Sequence, residues 1–199
     1  MTQNPYTRPH GHQPPSQELI ALMELQLAWL SYHALELSVQ RLLINLGYRE
    51  VSLLSRTFLR GRTNHGGIDM VAKHKTPVSM QSVVIQLKRR EQPISRSVVL
   101  EFRGALDYYE AQTGILITTS TFAPPAQETA AALRGRPIQL IDGSQLARMM
   151  IAARIGVRDV IDPKTGAYRL EFLPETFEAL ERYADARRRS ISCGIWGCD

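Results

Sequence analysis

Two apolar segments of this chain, Gly66-Gly67-Ile68-Asp69-Met70-Val71-Ala72 and Val83-Val84-Ile85-Gln86-Leu87-Lys88-Arg89-Arg90, predict a β-hairpin. Side chains alternate along a strand, so Gln86 and Lys88 point to one face and Ile85 and Leu87 to the other. The apolar run from Val83 to Ile85 is typical of a strand that is covered on both sides. We therefore expect the polar pair at the rim of a cleft, with Asp69 entering from the neighbouring strand.

The hairpin carries the chemical groups of a hydrolytic site. A carboxylate, a carboxamide oxygen and a lysine ammonium around one point can support metal-assisted cleavage of a phosphodiester. A strand that ends in Gln-x-Lys is also common at solvated sheet edges, and Asp69 could simply accept hydrogen bonds in a turn. The hairpin alone leaves both interpretations open, whereas its surroundings favour a functional site.

Positive charge is concentrated around this hairpin. Residues 55–103 contain ten Lys and Arg side chains and three acidic ones, a local excess of seven, although the formal net charge of the whole chain is only +5. A concentration of this kind is typical of proteins that neutralise nucleic-acid phosphates, and a solvated basic surface is the alternative. The candidate DNA-binding residues are Arg56, Arg60, Arg62, His65, Arg89, Arg90 and Arg96.

Length and composition favour one globular domain. The chain has 199 residues, of which 44% are hydrophobic, enough for a sizeable core. No apolar stretch is long enough for a transmembrane helix, and the N-terminal residues lack the apolar segment of a signal peptide. We therefore expect a cytoplasmic protein without a membrane partner. The segment that contains the two cysteines, Cys193 and Cys198, is expected to be a flexible tail and not a zinc site, since a structural zinc needs four ligands.

The pattern along the chain predicts three parts. Residues 1–15 are expected to be a disordered tail, residues 16–156 a nuclease-like α/β domain, and residues 157–199 a hairpin, a helix and a tail packed on or extending that domain. Helical periodicity runs from Ser16 to Leu46 with an expected break near Ser31, and a last helix from Pro174 is expected to end in Arg187–Arg189. Further strands are predicted near 51–54, 68–73, 82–88, 115–119 and 138–141, and further helices at 97–112, at 126–133 and from 144.

One acid in the early helix is unusual. Glu36 lies at the border of an apolar stripe. A carboxylate there is costly unless it is paired, hydrogen-bonded or bound to a metal. A glutamate that extends its charged end to solvent is the alternative explanation. The residues of the stripe are Leu35, Val39, Leu42, Leu43 and Leu46.

Five segments in order, from about Leu35 to Ile151, resemble the Mrr-type restriction endonuclease domain of the PD-(D/E)xK nuclease superfamily. They match the helix with its acid and closing Gly-Tyr, the metal-binding strand entry, the Gln-x-Lys element, the Thr-Thr-Ser strand end and the last strand-to-helix turn. The segments are Leu35-Glu36 with Leu46-Gly47-Tyr48, Gly66-Gly67-Ile68-Asp69, Gln86-Leu87-Lys88-Arg89, Thr118-Thr119-Ser120 and Ile141-Asp142-Gly143.

The resemblance implies a restriction-endonuclease-like αβββαβ core, a central mixed sheet flanked by helices, here followed by the C-terminal hairpin and helix. It also implies an endonuclease that cleaves DNA with Mg²⁺ or Mn²⁺, in restriction or defence. Asp69 would be the main metal ligand, Glu36 an accessory one and Gln86 a neutral oxygen ligand, with the Leu87 carbonyl as a further candidate. Lys88 would orient the attacking water and offset negative charge on the phosphate.

Several features leave alternatives open. Asn64 and His65 stand where relatives often carry an acid, and the short flanks suggest that DNA is recognised by loops or by a separate recognition subunit. A non-catalytic DNA-binding or assembly subunit that retains the nuclease fold is therefore the second hypothesis. The resemblance also predicts a homodimer. The C-terminal apolar residues could form its contact or pack on the chain's own core; they are Phe172, Phe177, Leu180 and Tyr183.

Overall fold

The computed structural model describes residues 14–54, 66–132, 135–161, 163–164 and 166–196, with side chains described through residue 186. Nearly all of the predicted N-terminal tail lies outside these ranges. The helices are α1 (Gln17–Trp29), α2 (Tyr32–Asn45), α3 (Arg96–Tyr108), α4 (Pro124–Ala131), α5 (Gly143–Ala152) and α6 (Pro174–Trp196). The strands are β1 (Arg49–Leu53), β2 (Met70–Lys75), β3 (Met80–Lys88), β4 (Thr113–Thr118), β5 (Ile138–Ile141), β6 (Val157–Ile161) and β7 (Tyr168–Phe172).

Serine caps explain the predicted break in the N-terminal helical segment. The Ser16 hydroxyl accepts a hydrogen bond from the Leu19 amide at the start of α1, and the Ser31 hydroxyl accepts one from the Ala34 amide at the start of α2. Each bond satisfies an amide that has no partner within its own helix. The break near Ser31 is thus confirmed, and it turns one long helical pattern into two helices.

The end of α2 follows the sequence expectation as well. Gly47 has a φ of +88°, a conformation that glycine adopts without steric cost, and its amide donates to the Ile44 carbonyl. Tyr48 then begins the approach to β1, and its ring lies 4.9 Å from the His74 ring on β2. Burial raises the pKa of the Tyr48 hydroxyl above its ordinary value.

The central sheet is mixed. Its strand order is β1-β2-β3-β4-β5, with antiparallel pairing from β1 to β3 and parallel pairing from β3 to β5. Helices cover both faces, so the predicted fold class is confirmed. The β2–β3 ladder extends to the pair Met70 and Ile85, beyond which the Asp69 amide donates to the Ile85 carbonyl. The two strands therefore separate just before the Gln-x-Lys element.

Strand β3 is buried on both faces, as its apolar run predicts. Two hydrophobic cores lie on opposite faces of the sheet. Ile85 and Leu87 belong to the first core, formed with α1, α2, α5 and α6, whereas Val84 belongs to the second core, formed with α3 and α4. The alternation places Gln86 and Lys88 on the side of Val84. The polar pair thus lies at the end of a strand that is packed on both faces.

The C-terminal segment shares the first core. Strands β6 and β7 form a separate antiparallel pair, and Phe177 on α6 is fully buried with its ring centroid 6.1 Å from that of Phe172. Leu180 also packs against this core, whereas Tyr183 is 57% exposed. Three of the four residues considered for a dimer contact are therefore used within the chain.

Helix α6 is longer than the sequence predicts. It continues through Cys193 to Trp196, so the expected end at Arg187–Arg189 and the expected flexible tail are wrong for these residues. No proline interrupts the segment, and one glycine inside a helix costs only about 1 kcal/mol. The expectations for the cysteine side chains lie outside the described residues. Among the described helices, none is long and apolar enough to cross a membrane.

Candidate active site

The candidate site lies where β2 separates from β3. Leu87 lies two residues beyond Ile85, the last residue of β3 that pairs with β2, and two side chains take the place of that strand. The Asp69 Oδ2 atom accepts a hydrogen bond from the Leu87 amide at 2.7 Å, and the Tyr32 hydroxyl donates to the Leu87 carbonyl at 3.1 Å. The main chain between the two predicted polar residues is therefore held by a carboxylate and a phenol.

The carboxamide of Gln86 has a fixed orientation. Gln86 is 4% exposed, and its Nε2 atom donates to the Gly67 carbonyl at 2.5 Å. A carbonyl oxygen can only accept, so the amide nitrogen must occupy this side of the carboxamide and the Oε1 atom the other. Gln86 can therefore present its oxygen to a ligand, the role that the sequence suggested.

Gly67 brings the two strand-end residues together. A methyl group at this position would overlap the Gln86 Nε2 atom and would lie 3.8 Å from the Lys88 Nζ atom. Its φ of +74° also belongs to the region that glycine favours. The turn before Asp69 thus passes close to both polar side chains, and the structure brings Asp69, Gln86 and Lys88 into one cluster.

The end of β4 fixes the main chain of Lys88. The Lys88 carbonyl accepts hydrogen bonds from the Thr118 hydroxyl at 2.8 Å and from the Thr119 amide at 3.2 Å. The Thr119 hydroxyl is bonded in turn to the main chain of Arg90. These bonds give the Thr-Thr strand end a physical role, since they hold the last residues of β3 beside β4.

Glu36 lies on α2 and is 2% exposed. Its Oε2 atom is 2.8 Å from the His33 Nδ1 atom, so the buried carboxylate has a polar partner one turn away. Tyr32 precedes Glu36 by one turn, and its bond to Leu87 links this helix to the cluster on β3. Sequence reasoning missed Tyr32 and His33, although the spacings of three and four residues to Glu36 would have placed them on its face of the helix.

The predicted DNA-binding residues are placed in several ways. Arg89 and Arg90 follow β3 directly and are both exposed, and Arg89 donates from Nη1 to the Leu30 carbonyl at the end of α1, at 2.9 Å. Arg96 begins α3 and lines a groove of about 390 Å³ between α3 and α4. The remaining four, Arg56, Arg60, Arg62 and His65, lie outside the described residues.

The donor atoms of the cluster fit a hard divalent cation. Asp69 offers a carboxylate, Gln86 an oriented carboxamide oxygen and Leu87 a carbonyl oxygen, and oxygen donors of these types suit Mg²⁺ or Mn²⁺. Within the ranges that the structure describes, no group of three or more His, Cys, Asp or Glu residues could hold a metal. A metal at this cluster would therefore depend on amide and main-chain oxygens in addition to carboxylates.

Comparison with known proteins connects this geometry to a family. A family described as restriction endonuclease, of the Mrr catalytic type, matches residues 27–150. The Type IV methyl-directed restriction enzyme EcoKMrr of Escherichia coli (strain K12) is 35% identical over 97 residues, which are 49% of this chain and 31% of that enzyme.

Two solved structures share the fold. The DNA modification-dependent restriction endonuclease AspBHI has a TM-score of 0.57 at 14% identity, covering 91% of this chain and 44% of the other. The MspJI restriction endonuclease, solved with a 27-mer oligonucleotide, has a TM-score of 0.50 at 22% identity, covering 75% of this chain and 35% of the other. The chain thus spans less than half the length of each of these relatives. Since the family match covers more than half of the chain, the protein belongs to the Mrr-type restriction endonuclease family.

Proposed function

We propose that this protein is a divalent-metal-dependent DNA endonuclease that hydrolyses phosphodiester bonds in restriction or defence. The observation that carries the proposal is the cluster at the end of β3, where Asp69, Gln86 and Lys88 converge around Gly67 and the main chain of Leu87. A carboxylate, a neutral oxygen and an ammonium group in one place are the groups that metal-assisted phosphodiester hydrolysis needs. A structural turn would not require this combination.

Each residue has a proposed role. Asp69, Gln86, the Leu87 carbonyl and, as an accessory ligand, Glu36 would hold Mg²⁺ or Mn²⁺. The bound ion would supply Lewis-acid stabilisation of the phosphate and of the attacking water. Lys88 would orient that water and offset the negative charge that develops on the phosphate. The hydrogen bond from Gln86 to Gly67 and the bonds from β4 to Lys88 would keep these groups in place.

The proposed substrate is DNA, contacted through the basic residues around the cluster. The names of EcoKMrr and AspBHI describe a methyl-directed and a modification-dependent enzyme, both much longer than the present chain. We propose that a further domain or a separate recognition subunit selects the DNA site, and that the present chain supplies the cleavage chemistry.

Nicking of supercoiled plasmid in Mg²⁺ or Mn²⁺ tests the proposed function. We expect Asp69→Asn and Lys88→Ala each to reduce cleavage by about 100-fold or more, because the first removes a carboxylate that would hold the metal and the second a positive charge that would offset the charge on the phosphate. Lys75→Ala is the matched control, since Lys75 is an exposed lysine elsewhere on β2. Cleavage by the two site variants at the rate of the parent protein would show that the assignment is wrong.

A non-catalytic DNA-binding or assembly subunit is the second candidate. The observation in its favour is that the first residue of the Gln-x-Lys element, Gln86, is neutral and that its Nε2 atom donates to the Gly67 carbonyl. This candidate predicts salt-sensitive DNA binding without metal-dependent cleavage, also in the presence of partner proteins. Calorimetric titration with Mn²⁺ distinguishes the two candidates, because binding that is lost in Asp69→Asn would contradict the non-catalytic role.

We also propose a homodimer and a cytoplasmic location, which remain predictions. The dimer would place two catalytic clusters on opposite strands of one duplex. Because Phe177 is buried in the chain's own core, the dimer contact would use other surfaces. Light scattering at micromolar concentration, with and without DNA, tests this proposal, and a monomer under both conditions would contradict it.

A further inference from the structure

Tyr32 occupies a position that the family resemblance did not point to. Its hydroxyl donates to the carbonyl of Leu87, the residue between Gln86 and Lys88. The amide of the same residue donates to Asp69. One peptide unit on each side of Leu87 is therefore fixed by a side chain, and Tyr32 and Asp69 act on the same short segment of main chain.

The bond from Tyr32 joins two elements that the proposed reaction needs. Tyr32 opens α2, the helix that carries Glu36 four residues later, whereas Leu87 lies near the end of β3. The preceding residue, Ser31, is held on its other side, because its amide donates to the Glu181 side chain on α6 at 2.6 Å. The start of α2 is thus anchored to the strand by Tyr32 and to the C-terminal helix by Ser31.

A carbonyl oxygen has two lone pairs. On the Leu87 carbonyl oxygen, one lone pair accepts the hydrogen bond from the Tyr32 hydroxyl and the second remains for a cation. The bond also restricts the direction in which the carbonyl points. Partners that orient a ligand without touching the metal commonly change metal affinity or activity by about 10- to 100-fold when they are removed. The hydroxyl of Tyr32 has the position of such a partner.

We propose that Tyr32 is a positioning residue of the metal site, which orients the Leu87 carbonyl and holds the first turn of α2, with Glu36, against β3. This inference rests on the proposed function, since it assigns Tyr32 a task in the same site. It acts through Leu87 and Glu36 and requires no contact with the substrate.

The test is calorimetric titration of Tyr32→Phe with Mn²⁺, together with plasmid nicking over a range of Mn²⁺ concentrations. The substitution removes only the hydroxyl, so the ring keeps its packing. We expect Mn²⁺ binding about 10-fold weaker than in the parent. Nicking should fall at low Mn²⁺ and recover toward the parent rate at saturating Mn²⁺, because the lost function is in holding the ion.

Tyr108→Phe is the control, because Tyr108 is 76% exposed at the end of α3. It should match the parent in both measurements. Unchanged Mn²⁺ affinity in Tyr32→Phe, with or without a change in nicking or thermal stability, would overturn the inference and leave the proposed function in place. A parent protein that neither binds Mn²⁺ nor nicks DNA would overturn the proposed function and the inference with it.

Discussion

Gly67 shows how one residue without a side chain shapes the site. It lies in the turn before Asp69, where its carbonyl accepts a hydrogen bond from the Gln86 carboxamide and an added methyl group would contact both Gln86 and Lys88. Any side chain at this position would occupy the space in which the carboxamide and the ammonium meet. The glycine therefore serves the arrangement of its neighbours as well as the backbone conformation.

We predict that Gly67→Ala abolishes Mn²⁺ binding and plasmid nicking, because the methyl group displaces Gln86. The positive φ adds a loss of about 1–2 kcal/mol in the free energy of unfolding. Gly47→Ala separates the two effects, since Gly47 has a φ of +88° but nothing within 4 Å of an added methyl group. In chemical denaturation both variants should show the loss caused by the positive φ, and Gly67→Ala should lose more, because it also displaces the buried Gln86. Equal nicking by the two variants would contradict the role of Gly67.

At the scale of single residues, strand alternation predicted the shared face of Gln86 and Lys88. The apolar pattern predicted Asp69 at the entry of the neighbouring strand, which the structure begins one residue later, at Met70. The hydrogen bonds that organise the site could not be predicted from the sequence, because they depend on how distant segments are placed by the tertiary fold. Asp69 bonds to Leu87 only because β2 leaves β3 at Met70, and no local pattern marks that residue as the last pair. Tyr32 reaches Leu87 because the fold brings the first residue of α2 next to the end of β3.

At the scale of elements, the basic segment after β3 has two functions. The Arg89 guanidinium donates to the Leu30 carbonyl, one of the carbonyls that a helix leaves without a partner at its C-terminus. Arg90 is exposed, and its main-chain amide and carbonyl are hydrogen-bonded to the Thr119 hydroxyl. The sequence predicted both arginines as DNA-binding residues, whereas in the structure the first connects the end of α1 to β3.

The two adjacent arginines should therefore respond differently to substitution. We expect Arg89→Ala to lower the free energy of unfolding by about 1 kcal/mol, because the end of α1 loses a charged hydrogen-bond donor. Arg90→Ala should leave stability unchanged and reduce the slope of log DNA affinity against log salt by about 1. Thermal denaturation and salt-dependent fluorescence anisotropy measure these two quantities. Equal loss of stability in both variants would contradict the distinction.

Element boundaries were predictable where a capping residue marks them. Ser31 separates α1 from α2 and Gly47 ends α2, both as the sequence indicated. Helix α6 has no such marker after Arg189, so an end predicted from a charge run was wrong. Leu46 likewise lies just past the last turn of α2 and is partly exposed, although periodicity placed it in the apolar stripe.

At the scale of the whole molecule, the first core joins the nuclease-like elements to the C-terminal segment. Side chains from α1, α2, β3 and α5 share this core with Val157, Phe177 and Ala184. The sequence left open whether the C-terminal apolar face packs on its own chain or on a second copy. Both outcomes bury the same residues, and only the three-dimensional path of β6, β7 and α6 distinguishes them.

Substitution of Phe177 tests whether the C-terminal segment and the nuclease-like elements unfold together. Its ring fills the space beside Gly156, where an added methyl group would overlap it, and it stacks on Phe172. We expect Phe177→Ala to lower the free energy of unfolding by about 3–5 kcal/mol, because it leaves a cavity in the shared core. Tyr183→Ala, on the exposed side of α6, should change it by about 0.5 kcal/mol or less. Chemical denaturation should show one transition, shifted as a whole. A separate early transition in Phe177→Ala, with the remainder unfolding as in the parent, would show instead that the C-terminal segment folds independently of the central sheet and its helices.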